Sequence, residues 1–351
     1  MDPILNSLRS LGQGQATNML LANNGDPACL RPYIAEDGRS YVALNVNGEL
    51  TPVPVNNDAT LRKDEWIQFD EAVIRAAKPR LRAWGDLASI GTYNIPNGMG
   101  KTVLQYQAQS DISVASISMD GLAETNRDRP LYDLNSLPLP IIHKDFSFSL
   151  REIMTSRNMN TPLDTAMAEL AGRRVAEEVE KLVLGVSSTY TYGGGTIYGY
   201  TNFGDRNTRT LTSPTASGWT PARTVAEVLQ MKNQSQLDYY YGPWILYCSP
   251  SWDPYMDDDY SLAKGDNTLR QRLGMIEGIT SVTTSDYLTN YDLVLVQRTP
   301  DVARGVVGMN MTTVQWETNG GMMLHFKVMC IMVPQIRADY NNNCGIVHGS
   351  V

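Results

Sequence analysis

Hydrophobic positions change their spacing several times along the chain, and each change marks an element. Trp66, Phe69, Val73 and Ile74 recur at helical spacing behind Asp64, which predicts a capped helix that Pro79 kinks or ends. From Thr102 to Gln109 and from Ile112 to Met119 the residues alternate or are β-branched. With Ser110 and Asp111 between them, these runs predict two strands or a bent hairpin. A polar excursion from Asp120 to Pro130 follows, and strict alternation returns in Asp145-Phe146-Ser147-Phe148-Ser149-Leu150. This stretch of roughly 50 residues has too little apolar surface for a core of its own, so it must rest on something else.

A long helix is predicted from Thr161 to about Leu184. Thr161 caps it, Pro162 takes the first helical position and Asp164 completes a capping-box variant. Leu163, Met167, Leu170, Val175, Val179, Leu182 and Val183 form its apolar stripe, Glu177 and Lys181 an i,i+4 pair, and Gly185 its end. At about 1.5 Å per residue such a helix is a strut of roughly 30 Å. Residues 193–218 read as loop. A second helix is predicted from Thr224, boxed by Glu227, and strands at Trp244–Cys248, Ile279–Thr283 and Leu293–Gln297 surround an acidic loop at Asp253–Tyr260. The last strands fall at Thr312–Trp316 and Met322–Val333. Ahead of the first helix, residues 1 to about 62 are rich in Gly, Pro and Asn, with one strand signal at Tyr41–Val46 before Asn47-Gly48. That segment reads either as an irregular arm that packs on something else or as a disordered one.

Composition narrows the function classes. Hydrophobic residues make up 42% and charged residues 19% of the 351, which supports a sizeable core and excludes wholesale disorder. Lys and Arg number 29 against 37 Asp and Glu, a net charge of −8. Sequence-independent nucleic-acid binding needs clustered basic residues, yet the densest stretch, Lys78, Arg80 and Arg82, lies beside Glu71 and Asp86. Contact with DNA is therefore expected to be weak. Cys29, Cys248, Cys330 and Cys344 are scattered and lack zinc or disulfide spacing, so they read as free thiols. No signal-peptide pattern and no apolar run of membrane-spanning length is seen, which predicts a protein made in the cytoplasm with no membrane partner.

Motifs that suggest chemistry are incomplete. Ile95-Pro-Asn-Gly-Met-Gly-Lys101-Thr102 ends like a phosphate-binding loop, but Ile95 stands where glycine is required and a β-like run follows. Ser261-Leu-Ala-Lys264 has the spacing of some acyl-transfer enzymes without their companion motifs. Asp253, Asp257, Asp258 and Asp259 lack the alternation and central glycine of a calcium loop. His143, His325 and His348 form no metal-ligand spacing. No catalytic, cofactor-binding or metal-binding residue is predicted, and no cofactor. A soluble hydrolase or nucleotide-binding enzyme is the remote alternative.

The order of elements is more informative. The arm Ser136-Leu-Pro-Leu-Pro-Ile-Ile-His-Lys-Asp-Phe-Ser-Phe-Ser-Leu150 leads into the helix Thr161–Gly185, then Gly195-Thr-Ile-Tyr-Gly-Tyr-Thr-Asn-Phe203. Val333-Pro-Gln-Ile-Arg-Ala-Asp339 and Cys344-Gly-Ile-Val-His-Gly349 close the chain. From residue 64 to 349, and most specifically over 136–203, the sequence resembles the major capsid proteins of tailed phages with the Hong Kong 97 fold. It resembles the encapsulin shells more distantly. The resemblance implies an α+β fold with an N-terminal arm (1–62), a first P-domain helix (63–90) and an extended E-loop (91–150). A P domain built on a spine helix (151–222), an A domain (223–310) and return strands of the P domain (311–351) complete it.

It also implies a structural protein that self-assembles as hexamers and pentamers into the icosahedral head around a double-stranded DNA genome. Such a protein resides in the virion after assembly in the host cytoplasm; portal and decoration proteins are candidate further partners, with a separate scaffold or none. The alternative is an encapsulin-type nanocompartment, whose shells begin closer to the first helix. A start near residue 64 leaves no room for a long cleaved scaffolding domain. Lys101, Lys144 and Asn341–Asn343 match no cross-linking motif, so no isopeptide bond is predicted.

Overall fold

The computed structural model describes residues 31–46, 49–54, 61–115, 117–119, 127–158, 165–260 and 267–351. The described part of the N-terminal arm is a sheet rather than irregular chain. In it β1 (Tyr33–Ile34), β2 (Ser40–Val46) and β3 (Glu49–Pro54) pair antiparallel in sequence order. Pro52 and Pro54 disguised the last of these, yet β3 is an edge strand, where a missing amide donor is tolerated. Val42 opposite Val53 is its buried pair. Residues 1–30, with Cys29, and the turn expected at Asn47 and Gly48 lie outside the described residues.

Helix α1 (Lys63–Ala77) starts a residue ahead of Asp64, with Arg62 at the N-cap. The Arg62 amide donates to the Glu65 carboxylate at 2.8 Å. Asp64 therefore lies in the first turn, where the helix dipole favours an acid. Trp66, Phe69, Ala72 and Val73 are buried, whereas Ile74 is exposed. A 3-10 turn at Lys78–Arg80 carries Pro79, and α2 (Arg82–Ile90) follows.

After α3 (Leu150–Asn158) comes the spine, α4 (Ala166–Leu184). Thr161, Pro162, Leu163 and Asp164, the expected start, fall outside the described residues. Ala168, Ala171, Val175, Val179 and Val183 are buried, while Met167 and Leu170 are exposed, contrary to the expected stripe. Alanines on the packed face let the helix approach its neighbours closely. The charges also differ from expectation. Glu177 pairs with Arg174 at 2.8 Å and Arg173 at 3.5 Å, and Lys181 with Glu178 at 3.7 Å, since guanidinium forks out-compete an ammonium for a buried carboxylate. At the end of α4, Gly185 adopts φ 81°, a left-handed conformation that favours glycine, and its amide returns to the Lys181 and Leu182 carbonyls.

The spine lies across a four-stranded sheet ordered β4 (Thr92–Asn94), β14 (Ala303–Thr318), β15 (Met323–Ile336) and β7 (Ile142–Ser149). Phe146 and Phe148 of β7 and Phe69 of α1 surround Phe326 of β15, with ring centroids 5.2 to 5.9 Å from it. Such aromatic burial dominates core energetics. Strands β14 and β15 run 16 and 14 residues, longer than predicted. Register shifts between Val307 and Thr312 break the alternation that the sequence reading relied on.

A separate hairpin pairs β5 (Val103–Gln109) with β6 (Tyr132–Pro138), Val103 opposite Pro138 and Gln109 opposite Tyr132. The strand expected at Ile112–Met119 is not formed among its described residues. Beyond Gln109 the Ser110 amide donates to the Leu131 carbonyl at 2.8 Å and the Ser113 amide to Asp128 at 2.6 Å. The regular ladder is confined to 103–109 with 132–138, and beyond it isolated bonds such as these tie the two segments together. At the hairpin's base lies a smaller one, β8 (Tyr190–Tyr192) with β9 (Gly195–Ile197). A Cβ on Gly195 would meet the Ser136 carbonyl oxygen at 2.1 Å, so only glycine permits this seat.

The remaining lobe is a mixed sheet ordered β10 (Asn207–Thr210), β16 (Ile346–Ser350), β13 (Leu293–Gln297), β11 (Trp244–Cys248) and β12 (Ile279–Thr284). Strands β10 and β16 come from outside 223–310. One face, with Leu246, Cys248, Leu293, Leu295 and Val347, packs on α5 (Pro221–Leu237) and α7 (Leu269–Gly274); the short α6 (Asp253–Met256) joins the same cluster through Met256. The opposite face, with Ile245, Tyr247, Val294, Val296 and Ile346, is continuous with the core under the spine. Helix α5 begins at Pro221 rather than Thr224, because proline's fixed φ suits the first helical position. Thr224 instead accepts the Trp219 indole N–H at 3.0 Å, and Glu227 accepts the Thr212 hydroxyl at 2.7 Å.

Candidate assembly surfaces

Among the described residues, those with tempting motifs do not converge on a reaction centre. Asn97 turns the 95–102 segment in a left-handed conformation, and a 3-10 turn at Gly98–Gly100 leads into β5. No helix N-terminus follows it. Ser261 and Lys264 lie outside the described residues. Asp253 and Asp257 both pair with Arg270, at 2.6 and 3.0 Å. His143, His325 and His348 sit on three different strands, β7, β15 and β16. Cys248, Cys330 and Cys344 are buried and free, and burial pushes the Cys330 and Cys344 thiols up to about 12, which keeps them unreactive. Among the described residues no three His, Cys, Asp or Glu side chains come together as metal ligands, and no helix is long and apolar enough to cross a membrane.

The feature that stands out is the β5–β6 hairpin. Its base is anchored: Leu137 and Leu139 are buried in a cluster with Leu182 of the spine and Ile197 of β9. Its far end is not. Ile112, Val114, Ile117, Met119, Leu131, Tyr132 and Leu134 are all exposed, Val114 at 94%. Single exposed apolar residues are ordinary; a concentration of them on one projecting element marks a surface built for contact. A hairpin of only two strands is also marginal in water without a covering surface.

A second feature holds the lobe against the spine. Glu180 of α4 is 1% exposed and accepts the amides of Ala83 at 2.6 Å and Trp84 at 3.1 Å, capping the N-terminus of α2 from a neighbouring helix. Three residues on, Asp86 accepts the Tyr247 hydroxyl of β11 at 2.9 Å. Arg82 donates to the Thr284 carbonyl at 3.0 Å, Arg80 pairs with Asp286 at 3.4 Å and Arg298 donates to Ser89 at 2.7 Å. Thus α2 is a bracket riveted to the spine on one side and to the lobe on the other. Burial raises the Glu180 carboxyl to about 7, against the pull of the two amides. Burial likewise lifts the Tyr247 phenol well above its ordinary value, with the charges of Tyr200 and Asp86 adding to it. Sequence reading missed Glu180, although its place between Ala176 and Val183 puts it on the buried stripe and could have flagged it.

Known proteins share this architecture. The chain aligns with a virus-like particle from Pyrococcus furiosus at TM-score 0.58 and 16% identity, covering 81% of this chain and 99% of that one. It aligns with the capsid of Myoviridae phage XM1 at TM-score 0.54 and 10% identity, covering 71% and 85%. The capsid of a native GTA particle aligns at TM-score 0.54 and 10% identity, covering 77% and 90%. The fold is the Hong Kong 97-like capsid fold. In sequence, the type 1 encapsulin shell protein EncA of Myxococcus xanthus is 27% identical over 191 residues, 54% of this chain and 61% of that relative, so the match spans less than two thirds of the relative's length. The sequence model of the family of unknown function DUF6260 matches residues 56–349, and the chain belongs to that family.

Proposed function

We infer that this protein is a structural shell subunit, the major capsid protein of a tailed phage, which assembles with copies of itself as hexamers and pentamers into the icosahedral head around double-stranded DNA. The observation that carries this reading is the projecting hairpin, whose apolar end no other part of the described chain covers. A surface of that kind is satisfied by a neighbouring copy, and head-to-tail contacts between identical copies propagate until they close into rings and shells. The net charge of −8 suits a wall that does not adhere to the genome it encloses. On this reading residues 91–150 act as the E-loop, 63–90 and 151–222 with 311–351 as the P domain, and 223–310 as the main part of the A domain. Localisation is then the virion, and the role is structural rather than catalytic.

Purified protein examined by sedimentation and negative-stain microscopy tests this reading, with rings or closed shells as the expected result. A chain that stays monomeric under every assembly condition would overturn it. The second reading, a cellular nanocompartment, is favoured by the Myxococcus shell relative. Particle contents separate the two: packaged DNA supports the phage head, and an enclosed enzyme supports the compartment.

A further inference from the structure

Arg304 and Arg337 bring two guanidinium groups to one amide oxygen. Arg304 Nε donates to Gln335 Oε1 at 2.6 Å, and Arg337 Nη2 donates to the same oxygen at 3.3 Å. The ladder itself sets them together: Arg304 on β14 opposes Gln335 on β15, and Arg337 lies two residues further along. Each also lies over a tyrosine ring, Arg304 4.8 Å from the Tyr93 centroid and Arg337 5.9 Å from that of Tyr106. No carboxylate among the described residues pairs with either. Burial first, then the charge of Arg337, holds the Arg304 guanidinium below its ordinary value, and only tyrosines oppose that effect. Arg337 Nε is buried with no hydrogen-bond partner among the described residues.

Two partly desolvated like charges repel, and a neutral amide oxygen compensates neither. Planar forks converging in this way match the geometry of a bidentate oxyanion. We propose that Arg304, Gln335 and Arg337 form a socket for the carboxylate of an Asp or Glu carried by a second copy of this chain, an inference that rests on the shell reading. Arg337, Gln335 and Tyr106 open into a cleft of about 830 Å³ between the hairpin and the end of β15. Asp133, Asp205, Asp301 and Asp339 line the same cleft. These acids would repel a phosphate backbone, whereas a protein surface can offer a carboxylate to the arginines and cations to the acids. With 37 acidic residues, the chain has ample groups to supply.

The decisive experiment uses Arg337→Lys, which keeps the charge and introduces an amine that a carbodiimide joins to a carboxylate with loss of water. Shells assembled from isotopically light and heavy copies in equal amount are treated and digested. The expected product links position 337 to an Asp or Glu peptide of the other isotope. Links confined to one isotope, as from Asp301 or Asp339 of the same chain, would overturn the proposal. In parallel, Arg304→Gln together with Arg337→Gln should leave the circular dichroism of the subunit unchanged and lower the assembled fraction by about ten-fold or more. Normal assembly of that double variant overturns this inference alone, while an unaltered chain that never assembles overturns the shell reading as well. Inorganic phosphate that raises the melting temperature of the unaltered chain but not the double variant, with assembly untouched, would reassign the socket to a free oxyanion.

Discussion

Along the spine α4, Val175, Val179 and Val183 are buried against α1 and the sheet, and even the acid on that face, Glu180, is satisfied by two amides. Along the hairpin, Ile112, Val114, Ile117, Met119, Leu131 and Leu134 face solvent. Both regions are rich in apolar residues, yet among the described residues only the spine has a partner inside the chain. On the shell reading, the difference separates a part of the molecule that is complete as a monomer from a part that a second copy completes. Burial of apolar area stabilises by about 25 cal/mol per Å², so the hairpin holds association energy in reserve where the spine has already released its own on folding.

Removing the reserve should produce the largest effect. Joining Gln109 directly to Tyr132 deletes the exposed end, and sedimentation should then show folded subunits and no shells. Normal particles would refute the contrast between the two regions. Phe326→Ala attacks the other side of the comparison. It empties the centre of the aromatic cluster and should destabilise the subunit by about 3–5 kcal/mol in denaturant titration, while particles that still form retain normal morphology.

Glu180→Gln sharpens the account of the spine through pH. Glu180 is raised from 4.5 to about 7 in the folded chain, so the fold retains a proton that the unfolded chain has already released. Its contribution to stability is therefore full below about 4.5 and is lost as the pH rises to about 7. Replacing it should flatten the stability-versus-pH curve of dissociated subunits over that window by up to roughly 3 kcal/mol. An unchanged slope would mean that Glu180 is not the group responsible. The smallest change is expected from Ile117→Ser, which should shift subunit stability by no more than about 0.5 kcal/mol and yet measurably weaken assembly, since the side chain is fully exposed before contact.

Much of the fold was legible in residue spacing. Period-2 alternation located Phe146 and Phe148 on β7, short apolar runs located β11 and β13, and Pro79 and Gly185 ended their helices because each restricts or frees one backbone angle in a way that does not depend on distant partners. The arm's need for an outside surface was legible as well, since a stretch with too little apolar surface to enclose a core is recognisable from its residues.

What only the tertiary structure decided are the pairings between distant segments. Ile112–Met119 has strand composition, but the ladder of 103–109 with 132–138 ends at Gln109 and Tyr132, and beyond it Ser110 and Ser113 bond to Leu131 and Asp128. Residues 346–350 join the lobe sheet beside 207–210, and Arg304 meets Gln335 and Arg337 only through the β14–β15 register. Sequence by itself located many of the elements and an arm that cannot enclose a core, because local backbone preference and apolar spacing act within a few residues; the α+β class followed from the resemblance. The closure of the sheets, the burial of Glu180 and the convergence of two arginines depended on which strands and helices met. That is a property of the whole packed chain, set where hydrogen bonds and buried area link residues far apart in sequence.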